Sequence, residues 1–105
     1  MDGVIGQLFA SASERMLAQY ITDAPGSMLR APAITTRGRV YAFATKASVI
    51  VKLPSHRVNE LIDSGVGAPC STGKAPLREW VCLEPGDEDE CLAYFAEARS
   101  FVAAF

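Results

Sequence analysis

Gly38-Arg39-Val40-Tyr41-Ala42-Phe43 and Val49-Ile50-Val51-Lys52-Leu53-Pro54, separated by a few small residues, decide the fold of this chain. Arg39 to Thr45 is rich in β-branched and aromatic residues, which suits a pleated strand. Ser48 to Leu53 alternates, with Val49, Val51 and Leu53 on one face and Ser48, Ile50 and Lys52 on the other. Lys46-Ala47 is a tight connection between the two. Upstream, Arg37-Gly38 is a turn out of a third extended run, Ser27 to Thr36. Pro32 lies inside that run and has no N–H to donate, which places the strand at an edge or near a bulge. Three antiparallel strands with short turns form a meander.

Helical periodicity flanks the meander. From Val4 to Ile21 the residues Ile5, Leu8, Phe9, Ala12, Met16 and Tyr20 recur at three- and four-residue intervals. Asp23-Ala24-Pro25-Gly26 is expected to end this helix as a turn, since Pro25 cannot continue it. Ser55 is the expected N-cap of a second helix, with Val58, Leu61 and Ile62 as its buried stripe and Gly65 at its close. Val66 to Gly73 reads as a loop holding a short strand at most. Leu77 to Leu83 is a strand, with Trp80 and Cys82 on one face and Val81 and Leu83 on the other. Asp87-Glu88-Asp89-Glu90 then opens a helix, where carboxylates favour the positive end of the dipole. Leu92, Phe95, Ala98, Val102 and Phe105 are expected to line its inner face. The order is helix, three strands, helix, one or two strands, helix. It is an α+β fold, an antiparallel sheet with helices packed on it. The expected core includes Leu8, Phe9, Met16, Tyr20, Val40, Ala42, Val51, Leu61 and Phe95, with Trp80 and Cys82 packed against the last helix.

At 105 residues the chain is expected to form one domain, long enough for one modest core. Half its residues are apolar and its formal net charge is −2, which argues against disorder and against a strongly electrostatic partner such as bulk DNA. No apolar run is long enough to span a bilayer, because Lys52 or Glu97 interrupts the best candidates. Asp2 stands where a signal peptide would be basic, so the expected location is cytoplasmic. Cys70, Cys82 and Cys91 match no zinc or redox spacing, and His56 is the single histidine. They are expected to be reduced thiols, with no metal and no cofactor. Gly73-Lys74 is not a phosphate loop: Ala68 replaces the earlier glycine and Ala75 the following serine or threonine.

Three segments in fixed order resemble a known pattern: Gly38 to Phe43, Val51 to Pro54, and Gly73-Lys74-Ala75-Pro76-Leu77-Arg78-Glu79-Trp80. With Ser64-Gly65 closing the intervening helix, the chain is similar to the TfoX N-terminal domain and its MmcQ/YjbR-like relatives. The resemblance covers most of the chain and is weakest before Gly26. Met28-Leu29-Arg30 departs from the family's Met-Phe-Gly, and Pro76-Leu77, after the extra Ala75, from its Pro-Met. The resemblance implies a stand-alone YjbR-like domain over residues 1–105, acting in the cytoplasm as a transcription- or competence-related regulatory module. The competence regulators carry a further C-terminal domain, whose activity is not carried over to a chain ending at its last helix. Relatives of the fold include dimeric, chaperone-like proteins, which implies a homodimer.

The binding candidates are Lys52, His56, Arg57, Lys74, Arg78 and Trp80. Trp80 beside Arg78 and Glu79 suits stacking on a flat ligand, while its alternation with Cys82 suits the core. His56 and Arg57 sit at a helix start, where the dipole disfavours cations; this suits a solvated charged face, or else an anion or acidic partner nearby. Lys52, His56, Arg57, Lys74 and Arg78 are expected to form one basic patch. No nucleophile and base can be paired, so an enzyme is not expected. The leading reading is a binding module acting through protein–protein contacts. One alternative is a nucleic-acid accessory protein, which the acidic isoelectric point near 5.3 disfavours. The other is a small-molecule binder or weak enzyme with a pocket near Trp80.

Overall fold

A computed structural model describes residues 3–28, 30–71 and 76–105. Its elements are α1 (Gly3–Gln19), β1 (Asp23–Met28), β2 (Ala31–Thr36), β3 (Arg39–Ala44), β4 (Val49–Lys52), α2 (Ser55–Asp63), β5 (Gly67–Ser71), β6 (Pro76–Leu83) and α3 (Glu88–Ala103). The strands form one antiparallel sheet in the order β1-β2-β3-β4-β6-β5. The fold is α+β, as expected, with two more strands than the meander and Leu77 to Leu83 account for.

The first extra strand corrects the reading of Asp23 to Gly26 as a turn. Met28 pairs with Ala31 and Asp23 with Thr36, so the extended run is part of a hairpin of two antiparallel strands. Pro25 and Gly26 are tolerated because β1 is an edge strand, with no neighbour on its outer side to miss an N–H. The second extra strand, β5, is the opposite edge and carries Pro69 in the same way. Two residues at positive φ, Arg37 (52°) and Gly38 (81°), make the two-residue turn between β2 and β3. Left-handed backbone at both positions matches the twist of the flanking strands.

All three helices cover one face. The main core joins Phe9, Ala12 and Met16 of α1, Val58 and Leu61 of α2, and Phe95, Ala98 and Val102 of α3 to Ile34, Tyr41, Val51, Leu53, Val81 and Leu83 of the sheet. A bulge sets part of this pattern. Ile34 faces Ala42 and Thr35 faces Val40, which leaves Tyr41 as the extra residue of β3. Tyr41 and Ala42 therefore both enter the helix-side core, while Val40 turns to the other face.

Trp80 and Cys82 share a face, but it is the one turned away from α3. Val81 and Leu83 take the buried side, because β6 pairs Val81 with Val51 and Leu83 with Val49, both already committed to the helices. Other core expectations also shift: Leu8 and Tyr20 are half-buried, and Phe105 is exposed past the end of α3. Gly65, at φ 82°, ends the turn after α2 in the left-handed conformation anticipated for it. Among the described residues no helix is long and apolar enough to cross a membrane.

Candidate functional site

The sheet face without helices carries a second, smaller apolar cluster. Ala33, Phe43, Ile50 and Cys70 form it, with Met28, Leu77, Trp80 and Cys82 packed against them. Its most chemically distinctive part lies where β4 ends beside β6. Lys52 pairs with Trp80 across the two strands, and its ammonium stands 5.5 Å from the indole centroid. The Trp80 ring meets Phe43 edge-on, 5.6 Å between centroids at 64°. Half-buried, Trp80 has one side held by Phe43 and one within reach of the Lys52 cation. Such an arrangement can pack against an apolar or flat group while offering a positive charge at its margin.

Beside Trp80 the surface is concave. A hollow of about 470 Å³ is lined by Ser55, Leu77, Arg78, Glu79 and Trp80. A neighbouring one of about 310 Å³ shares Ser55, Leu77 and Arg78 and adds Val58, Asn59, Ile62 and Pro69. The two meet between the start of α2 and β6. Here Ser55 is not the N-cap expected of it. Pro54 holds that position in an extended conformation, and its carbonyl accepts from the N–H groups of Arg57 and Val58 at 3.0 Å each. Ser55 thus lies inside the helix and its side chain makes no capping bond.

Arg57 does not join this group. Its Nε donates to Glu97 at 2.6 Å, its Nη2 to the other Glu97 oxygen at 3.4 Å, and its Nη1 to Glu60 at 3.4 Å. Hydrogen bonding to Glu97 is the main reason its guanidinium is held even more firmly protonated than usual. The acidic group near the start of α2 is therefore internal: Glu97 of α3. His56 is exposed on the first turn of α2. Lys74 lies outside the described residues, as does most of the Gly73 loop. The structure brings Lys52, Trp80 and Arg78 to one end of the β4–β6 pair and directs Arg57 to α3.

Sequence reasoning missed the most elaborate polar cluster. Asp23 begins β1 with its side chain fully buried. Arg99 Nε donates to both of its oxygens at 3.0 and 3.1 Å, and Tyr41 Oη donates to it at 2.8 Å. The Arg99 guanidinium also lies over the Tyr20 ring, 3.6 Å from its centroid, and donates to Thr22 Oγ1 at 3.2 Å. Burial first, then the bond to Asp23, pushes the Tyr41 hydroxyl far above its ordinary range. Positions 23, 41 and 99 have no spacing that links them, and Asp23 sits in a segment that reads as a turn. This cluster is closed on itself and ties β1, β3 and α3 together. The acidic opening of α3 is structural too: Asp87 accepts from the Glu90 N–H at 2.8 Å, and Glu88 pairs with Arg15 of α1 at 2.9 Å.

The thiols follow the two faces. Cys91 is buried under the helices, whereas Cys70 and Cys82 lie together on the open face. Burial is the chief reason that Cys82 and Cys91 are each pushed up to about 11. Among the described residues no group of three or more His, Cys, Asp and Glu side chains is gathered to hold a metal ion. Comparison of the chain with protein-family models, with curated proteins and with solved structures finds no match in any of the three.

Proposed function

We propose that the protein is a small, non-enzymatic binding module of the TfoX N-terminal/YjbR-like type, working in the cytoplasm through protein–protein contacts made by its open sheet face. One observation carries this reading. The helices all cover one side of the sheet, and the other side offers half-buried Trp80, backed by the buried Phe43 and Ile50, with Lys52 set against the indole. An aromatic centre with a charged margin is the composition that concentrates binding energy in protein interfaces. Arg78 extends the positive margin, so the favoured partner surface is apolar with a carboxylate near its edge. A regulatory role in transcription or competence rests on the family resemblance alone, as does a homodimer.

Immobilised protein and its Trp80→Ala variant, exposed to the same cell extract, test the reading. A protein retained by the first and lost from the second supports it, provided the variant bait is still folded at the assay temperature. Identical retention by the two baits overturns it. The hollow beside Trp80 favours a second reading, a small-molecule site, for which a compound that shifts the melting temperature of the parent but not of the Trp80 variant is the sign. Nucleic acid fits less well, because Arg57 is occupied by Glu97 and the net charge is −2. Retention on DNA that falls steeply with salt is the result that would reinstate it.

A further inference from the structure

The open face holds a pair of groups that the binding reading does not use. Cys82 lies on β6 with Ala68 of β5 opposite it, and Cys70 is the next residue of β5 on the same face. The two thiols share the small apolar cluster, and after burial the neighbouring Cys70 thiol is what pushes the Cys82 thiol up. Cys70 is buried and Cys82 is half-buried, so a small oxidant reaches Cys82 first.

We propose that Cys70 and Cys82 form a reversible redox-modification site, a cross-strand dithiol that a two-electron oxidant such as hydrogen peroxide closes to a disulfide within one chain. In a regular antiparallel ladder such diagonal residues are about 7–8 Å apart, just beyond the roughly 7 Å within which a disulfide closes without backbone movement. Two features relax that limit here. The β5–β6 register is irregular between Pro69 and Ser71, at Cys70 itself. Furthermore, β5 is an edge strand, bonded only to β6, and can shift without breaking a second ladder.

The chemistry balances without another redox partner. The Cys82 thiolate attacks a peroxide oxygen, the O–O bond breaks, and hydroxide leaves to become water, giving a sulfenic acid. The Cys70 thiolate then attacks the Cys82 sulfur, the S–O bond breaks, and the departing hydroxide becomes a second water. Two thiols are oxidised to one disulfide as one peroxide is reduced to two waters. Since only the thiolate attacks and the Cys82 thiol is pushed up to about 11, closure is slow at neutral pH and speeds up as pH rises. Cys91, on the covered face, takes no part.

The test uses the unmodified chain. It is treated with a small excess of hydrogen peroxide at pH 9, then denatured, and its thiols are counted and its peptides mapped. The expected count falls from three to one, with the loss of two hydrogens in intact mass, a Cys70–Cys82 cross-linked peptide, and full recovery with a dithiol reductant. Cys70→Ser and Cys82→Ser should each block the cross-link. Three remaining thiols, oxygen adducts without a cross-link, a bond to Cys91, or a bond between two chains would each overturn the proposal. Because the decisive measurement is on the parent chain, a variant that fails to fold leaves it intact. The result is independent of what, if anything, binds the face.

Discussion

The two faces of the sheet are built from one alternating sequence and end in different states. On the covered face, Val49, Val51, Leu53, Val81 and Leu83 are at most 1% exposed, sealed by three helices. On the open face Ile50 and Phe43 are nearly as buried, but Lys52, Trp80 and Cys82 are only half so, because their cover comes from each other. Apolar burial and dispersion contacts scale with the neighbours that exclude water, so the covered face should account for most of the stability. The open face can then carry chemistry at little cost to the fold.

Phe95 tests this contrast most severely. It is fully buried and meets both Phe9 and Tyr41 edge-on, at 5.4 and 6.2 Å between centroids. Phe95→Ala should cost about 3–5 kcal/mol, the usual range for a large aromatic removed from a packed core. Trp80→Ala, which deletes a larger ring, should cost roughly half as much because that ring already touches water. Denaturant unfolding of the two variants decides it. Equal losses would mean that the open face is as structural as the covered one.

Next in size is the Asp23 cluster at the edge of the covered face. Asp23→Ala leaves Arg99, only 18% exposed in its side chain, without its carboxylate, and should cost about 3 kcal/mol, the lower end for breaking a buried pair. Tyr41→Phe removes one bond to Asp23 and should cost about 1–3 kcal/mol at neutral pH. The same substitution has a pH signature. Tyr41 in the folded chain holds its proton well beyond the point, near pH ~10, at which an unfolded tyrosine loses it. Its contribution is therefore complete below that pH and lost as pH rises above it. Tyr41→Phe should flatten the fall in stability above pH ~10, as read from urea midpoints. An unchanged alkaline limb would show that Tyr41 ionises as it does in the unfolded chain.

Much of this architecture was legible from local pattern, and the misses have physical causes. Alternation placed Val51 correctly, and Val51→Ala, at a position 0% exposed, should cost about 1–3 kcal/mol. A loss under about 0.5 kcal/mol would match a surface site instead. Alternation also paired Trp80 with Cys82 but cannot say which face the helices choose; that is decided by β6 pairing with β4, which lies far away in sequence. The β1 strand was hidden because Pro25 and Gly26 are turn residues by composition, and an edge strand is where a sheet accepts them. At the candidate site, Lys52 beside Trp80 follows from two neighbouring strands. The pairing of Arg57 with Glu97 joins two helices 40 residues apart, which no local spacing encodes.

The smallest expected effect falls on the cations of the open face. Lys52 interacts with Trp80 at the sheet's surface, and an exposed cation–π contact is worth about 0.5–1 kcal/mol. Arg78 is exposed at the rim of the hollow. Replacing both by alanine should therefore lower the stability by about 1 kcal/mol or less, within reach of a careful melting comparison. Binding should respond differently. If these cations form the positive margin of a docking face, the double variant should capture an acidic partner more weakly and with a flatter dependence on salt, because two charges no longer steer the encounter. Arg57→Ala supplies the contrast, since it strips Glu97 and Glu60 of their cation on the covered side. It should disturb stability at least as much as the double variant while leaving capture unchanged. A double variant that melts far lower, or an Arg57 variant that alone abolishes capture, would move the functional surface away from the Lys52–Trp80 end of the sheet.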